Sequence, residues 1–233
     1  DLLLDVYRPA DANLPPLRPG LVLIHGGGFT GGSKTNTTMV SLGNAFAQRG
    51  YVSVSIDYRL VGDDPPTEDL ARDPTDPVSV AAAAARVDAT RAVEWMRVNA
   101  AAYGIDPNRI AIGGYSAGAI TSMGVAFQDP GVDGADVQVV LSLSGGLYGQ
   151  ESIIDADDPP LIMIHGRADA TVPFSLAEAI SAQALAVGLT HEFYPLDGVG
   201  HGTPAQLETV VDDVTLADRI RNFFFDHLEL GAL

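Results

Sequence analysis

Short, wholly apolar runs recur along this chain, and most are followed by a stretch whose apolar residues repeat at helical spacing. Residues 21–24 (LVLI) are one such run, as expected of a strand covered on both faces. Strand-like runs are read at 2–7, 21–24, 51–56 (YVSVSI), 109–112, 137–143, 161–164 and 190–194. Helical patterns are read at 39–48, 78–103, from the glycines after 112 to Phe127, 174–187 and 203–228, the last with a break expected near Val211. Gly50, Gly104 and Gly188 stop three of them. Pro15, Pro16, Pro19 and Gly20 read as a turn region, and the acidic, proline-bearing stretch 61–77 reads as a loop. Strand–helix alternation implies βαβ units, a mostly parallel central sheet and helices on both of its faces. No internal repeat and no dividing linker is visible, so a single domain over residues 1–233 is expected. Ligands of such a sheet sit at the carboxyl ends of its strands.

The composition narrows the chemistry. There is no cysteine, which excludes a disulfide scaffold, a thiolate metal site and a cysteine nucleophile. Thirteen basic residues against 30 acidic ones give a formal charge of −17, and Lys34 is the only lysine. Nucleic-acid binding needs clustered cations, and docking on anionic lipid is opposed by the same charge. No run reaches the roughly 18 apolar residues of a membrane span. The chain starts at Asp1 without Met and enters an apolar run directly. A removed or omitted segment is therefore expected, and both a bacterial cytoplasmic and an exported location stay open.

Three loops that follow strands carry reactive side chains. Gly114-Tyr115-Ser116-Ala117-Gly118 matches G-x-S-x-G, with a strand before it and a helix after it. A nucleophile on so tight a turn stands clear of the backbone, and side chains at Gly114 and Gly118 would collide with the neighbouring strand and helix. The N–H of Ala117, at the helix start, points at developing negative charge. Asp169 follows the 161–164 strand by a short loop, whereas Asp155, Asp157 and Asp158 precede that strand and lie at its other end. His201, between Gly200 and Gly202, follows the last strand and is the one histidine in a flexible loop after both Ser116 and Asp169. A serine hydroxyl needs a base, and the base needs a carboxylate to fix its tautomer. A fourth segment, His25-Gly26-Gly27-Gly28-Phe29, lets backbone N–H groups turn toward an oxyanion with no Cβ in the way.

A competing pattern is present. Residues 26–31 also fit G-x-G-x-x-G after a strand, with Asp57 ending the next one, as in a NAD(P)-binding Rossmann protein. Polar residues 33–38 separate these glycines from the next helical pattern, and Asp57 lies farther on than the roughly 20 residues expected.

The segments DVYRP (5–9), HGGGF (25–29), IDYRL (56–60), YGIDPNRIAIGGYSAG (103–118), HGRADATVP (165–173) and GHG (200–202) resemble those of the α/β-hydrolase superfamily over nearly the whole chain. The likeness is to carboxylesterases related to hormone-sensitive lipase and to bifunctional feruloyl/acetyl-xylan esterases. It implies an α/β-hydrolase fold, a three-layer α/β/α sandwich. It implies Ser116 as nucleophile, His201 as base and Asp169 as acid, with Gly27, Gly28 and Ala117 as oxyanion-hole donors. Only residues 144–160 lie where the family commonly carries a lid, too few for a helical one. An open site without a cap domain is therefore expected, with no activation at a lipid interface.

The expected activity is hydrolysis of short-chain or aryl esters through an acyl-enzyme, with no metal or organic cofactor. Phe29, Tyr115 and Tyr148 lie in or beside the site loops and are candidates to line a substrate pocket. The expected partner is a small-molecule or polymer-borne ester, with no nucleic acid and no membrane, on a monomer or homodimer. Alternatives are a prolyl-oligopeptidase-like serine peptidase and a hydrolase-like binding protein that has lost catalysis. Activity is expected to fall in acid as His201 takes up a proton.

Overall fold

The structure, a computed structural model, describes residues 2–10, 17–68, 71–127 and 136–232. Pro15 and Pro16 of the expected turn lie outside these residues, as do Asp69 and Leu70 of the acidic loop. The elements run β1 (Leu4–Tyr7), β2 (Arg18–Ile24), α1 (Thr37–Ala47), β3 (Val52–Ile56), α2 (Pro77–Val98), α3 (Ala100–Tyr103), β4 (Ile105–Tyr115) and α4 (Ala117–Phe127). They continue with β5 (Val139–Leu143), β6 (Leu161–Gly166), α5 (Phe174–Val187), β7 (His191–Leu196), β8 (Val210–Val211), β9 (Val214–Thr215) and α6 (Leu216–His227). Seven strands form one sheet in the order β1-β3-β2-β4-β5-β6-β7. β1 pairs antiparallel with β3, and the other pairings are parallel.

Side-chain alternation along the central strands makes two cores. Val22, Ile24, Ile112 and Val140 face a layer that includes Ala81, Ala85, Ala89 and Met96 of α2, Met123 of α4 and Ile180 of α5. Leu21, Leu23, Ala111, Leu141 and Ile162 face Met39 and Phe46 of α1 and Ile220 and Phe224 of α6. Because the central parts of β2 and β4–β6 are covered on both sides, their middles read as mostly apolar runs. The alanines of α2 let that helix lie close to the sheet and to α4; Ala81, Ala84, Ala85 and Ala89 are fully buried.

Four expectations change. Pro19 and Gly20 belong to β2, not to a turn. Ile105 pairs with Arg18 and Ile110 with Gly20, so the pairing shifts register at Pro19, where the ladder needs no N–H from it. The helix expected at 78–103 is interrupted at Asn99, whose φ of −96° and ψ of 8° leave helical geometry before α3 resumes. The stretch 61–77 is not all irregular, since Val61–Asp63 forms a 3-10 turn. Finally, the helix expected over 203–228 is confined to Leu216–His227. Before it, a small antiparallel hairpin turns through Asp212 and Asp213, both at positive φ (48° and 64°). Consecutive left-handed residues are the chemistry of a tight hairpin turn, which Asp tolerates better than most side chains.

Candidate active site

The carboxyl ends of β2, β4, β6 and β7 converge on one edge of the sheet. β4 delivers Ser116 at φ 56°, a left-handed conformation that costs about 1–3 kcal/mol in a non-glycine residue. The flanking glycines make this turn possible by close approach. A Cβ on Gly114 would lie 2.5 Å from the backbone of Gly118, and one on Gly118 only 2.0 Å from the carbonyl oxygen of Ile24. Ser116 N–H donates to the Leu143 carbonyl (2.8 Å), which pins the turn to the end of β5.

Three expected residues meet here. His201 Nε2 lies 2.8 Å from Ser116 Oγ, and His201 Nδ1 lies 2.7 Å from Asp169 Oδ2. Asp169 Oδ1 accepts from the backbone N–H groups of Thr171 (2.9 Å) and Val172 (3.0 Å). Burial alone would raise the Asp169 carboxyl. The hydrogen bonds from His201 and from those two backbone groups outweigh burial and hold it below the usual carboxylate range. With the Nδ1 proton directed at the carboxylate, Nε2 is left to accept from the serine hydroxyl. A nucleophile, a base and a carboxylate that orients the base are thereby in hydrogen-bonded series.

A residue not among the expected catalytic ones also joins the series. His165 is almost fully buried, donates from Nε2 to the Val172 carbonyl (2.9 Å), and brings that nitrogen within 3.3 Å of Asp169 Oδ2. Burial depresses its pKa, with the neighbouring carboxylate acting against that shift. Its signal in the sequence was the spacing to Asp169 in HGRAD.

Ser116 opens into a cavity of about 370 Å³, bordered by Gly28, Ala117, Phe29, Leu147, Tyr148 and Val172. Gly28 and Ala117, two of the three expected oxyanion donors, line the cavity together with Ser116. Gly27 stands beside them without lining the cavity, its carbonyl accepting from Thr30 and Gly31. Phe29 and Tyr148 line the cavity as expected, both at positive φ (62° and 51°). Tyr115 does not. Strand alternation turns it to the other face of β4, where its hydroxyl donates to the His201 carbonyl and its ring lies 5.1 Å from the imidazole.

The glycine-rich turn after β2 opens no helix. Its first helix starts only at Thr37, and Asp57 accepts from the N–H of Lys34 (2.8 Å). The helix N-terminus a dinucleotide pyrophosphate needs is therefore absent from this turn.

Comparison with known proteins agrees with this architecture. Residues 4–134 match the BD-FAE family. The esterase LipC of Mycobacterium tuberculosis is 28% identical over 86% of this chain and 56% of its own length. The fumonisin B1 esterase of Sphingopyxis macrogoltabida is 31% identical over 62% of this chain and 26% of its own. The chain spans about half the length of the first of these relatives, and less of the second. Among solved structures, the propionate-bound esterase Est2 of Thermogutta terrifontis superposes with a TM-score of 0.76 at 25% identity, covering all of this chain and 91% of that one. The same Thermogutta esterase phosphorylated by paraoxon superposes equally well, at a TM-score of 0.76 and 25% identity over 100% of this chain and 90% of that one.

Proposed function

The chain belongs to the BD-FAE family and has the α/β-hydrolase fold, and on that premise we propose that it is a serine carboxylesterase acting on short-chain or aryl esters. The observation that carries this is the hydrogen-bonded series Ser116–His201–Asp169, whose serine lines a mostly apolar cavity. Ser116 Oγ attacks the ester carbonyl carbon while His201 Nε2 takes the hydroxyl proton. The N–H groups of Gly28 and Ala117, with Gly27 beside them, face the oxyanion; one such donor is worth about 100- to 1000-fold in rate. The tetrahedral adduct collapses, the ester C–O bond breaks, and His201 returns the proton to the leaving alcohol. Water then attacks the acyl-enzyme with His201 again as base, releasing the acid and restoring Ser116. Asp169 holds the imidazole and stabilises its cation throughout.

The Thermogutta esterase is phosphorylated by paraoxon, and the same reagent is expected to inactivate this chain in a one-to-one reaction at Ser116. The test is covalent labelling of Ser116 by a fluorophosphonate, beside a p-nitrophenyl ester panel from acetate to dodecanoate, methyl ferulate and an aminoacyl anilide. Labelling with ester turnover supports the reading. Faster turnover of the anilide points to a peptidase, and absence of labelling points to a binding protein.

A further inference from the structure

The cavity at Ser116 is walled by α4 and α2, and its mostly apolar lining includes charged side chains. Arg86 of α2 lines it. Its stem lies over Gly124 of α4, where a Cβ would stand 2.7 Å from Arg86 Cδ, so the glycine makes room for it. Among the described residues no carboxylate or other acceptor is paired with this guanidinium, and its Nε is buried without a hydrogen-bond partner. Asp76, the one carboxylate of the described residues that shares the cavity lining, is committed elsewhere. Its oxygens accept from the N–H groups of Val78 and Ser79 at the start of α2. Arg72, a second guanidinium in the lining, donates to the Tyr148 carbonyl (3.2 Å).

In a chain with 30 acidic residues and 13 basic ones, a half-buried arginine with no acidic partner among the described residues stands out. Arg59, Arg91, Arg109, Arg167, Arg219 and Arg221 all find acidic partners. The cost that is visible is local: Arg86 Nε is a donor buried without an acceptor. Burial brings the Arg86 pKa down to about 10, which still leaves it cationic at neutral pH.

We infer that Arg86 is the counter-charge for a carboxylate on the substrate's acyl group, so that the preferred substrates are half-esters of dicarboxylic acids. This rests on the esterase reading of the site. The acyl side is assigned because the oxyanion donors Gly28 and Ala117 line the cavity, whereas His201, which hands the proton to the leaving alcohol, does not. Gly124 stands about two helical turns beyond Ser116, ~12 Å along the α4 axis. The acyl chain must therefore place its carboxylate well beyond the scissile carbonyl, and adipate and suberate half-esters fit better than succinate ones.

The experiment compares kcat/KM for monoethyl succinate, adipate and suberate with ethyl esters of neutral acids of equal chain length. The wild type is expected to prefer the anionic adipate and suberate esters to their neutral counterparts. R86M is expected to lower that anionic-to-neutral ratio at least tenfold, and R86K to lower it less. Equal ratios in wild type and R86M, or a wild-type preference for the neutral chain at every length, overturn the inference. Calorimetric binding of monoethyl suberate to S116A and to S116A carrying R86K decides the same question without turnover. Binding to S116A that weakens in the double variant upholds the subsite even if no ester is cleaved and the esterase reading fails. Absence of binding to folded S116A overturns it.

Discussion

Ser116 is held in a left-handed conformation that only its neighbours make tolerable, so its contribution to activity and its contribution to stability oppose each other. S116A keeps the turn and the glycine contacts but loses the hydroxyl. It is expected to lower kcat by about 10⁶, with thermal unfolding near that of the wild type, measured by single-turnover kinetics and calorimetry. D169N is expected to cost about 10⁴, because an amide in that place favours the wrong imidazole tautomer. Tyr115→Phe removes a hydrogen bond to the His201 carbonyl and leaves the ring packed. A fall of a few-fold in kcat with unchanged KM is expected, since the base loses its restraint while the cavity wall is untouched. The three reactive side chains were legible in sequence because each follows a strand in its own loop. Arg86 and His165 were not, because their meaning lies in what they face across the fold: Gly124 on another helix in one case, the Val172 carbonyl in the other.

At the scale of elements, local chemistry explains both the agreement and the failures. The bounds of α5 follow from a clean helical pattern and a terminal Gly188 at φ 84°. The break expected near Val211 is there, but the β8–β9 hairpin that makes it was not read, because two aspartates in sequence are a weaker turn signal than Asn-Gly. That turn is an opportunity for stabilisation. Replacing Asp212-Asp213 with Asn-Gly suits two positive φ values and is expected to raise unfolding free energy by about 0.5–1 kcal/mol, read from denaturant melts. The opposite outcome is expected at the nucleophile turn. Gly118→Ala pushes a methyl group to 2.0 Å from the Ile24 carbonyl, which forces β2 and α4 apart, and soluble yield and melting temperature should both drop sharply.

For the molecule as a whole, two buried histidines set the response to acid. Burial depresses the pKa of His25 and of His165, so the folded state stays neutral at these sites where the unfolded chain already takes up protons. The unfolded state then binds more protons, and stability falls as the pH is lowered below the ordinary imidazole value near 6.5, until the depressed folded values are reached. Each histidine contributes at most about 1.4 kcal/mol per pH unit in that window. Denaturant melts between pH 7.5 and 5 should show the loss, and His165→Gln should make the slope shallower. The only helical piece within 144–160 is the 3-10 turn Glu151–Ile153, so there is no helix in that segment to lift from the cavity. Activity is accordingly expected to follow simple saturation as an ester passes its solubility limit. A sharp rise there would contradict the open-site expectation.

Among the described residues β7 is the last strand of the sheet and pairs only with β6, while β4, which presents Ser116, lies between two parallel neighbours. The base therefore hangs from the margin of the molecule and the nucleophile from its interior. A margin opens before an interior does, because fewer contacts hold it. Turnover should thus be lost at lower denaturant concentration than helical circular dichroism, with amide exchange fastest after β7. Catalysis would then act as an early gauge of fraying, failing by separation of the base from an otherwise well-seated serine.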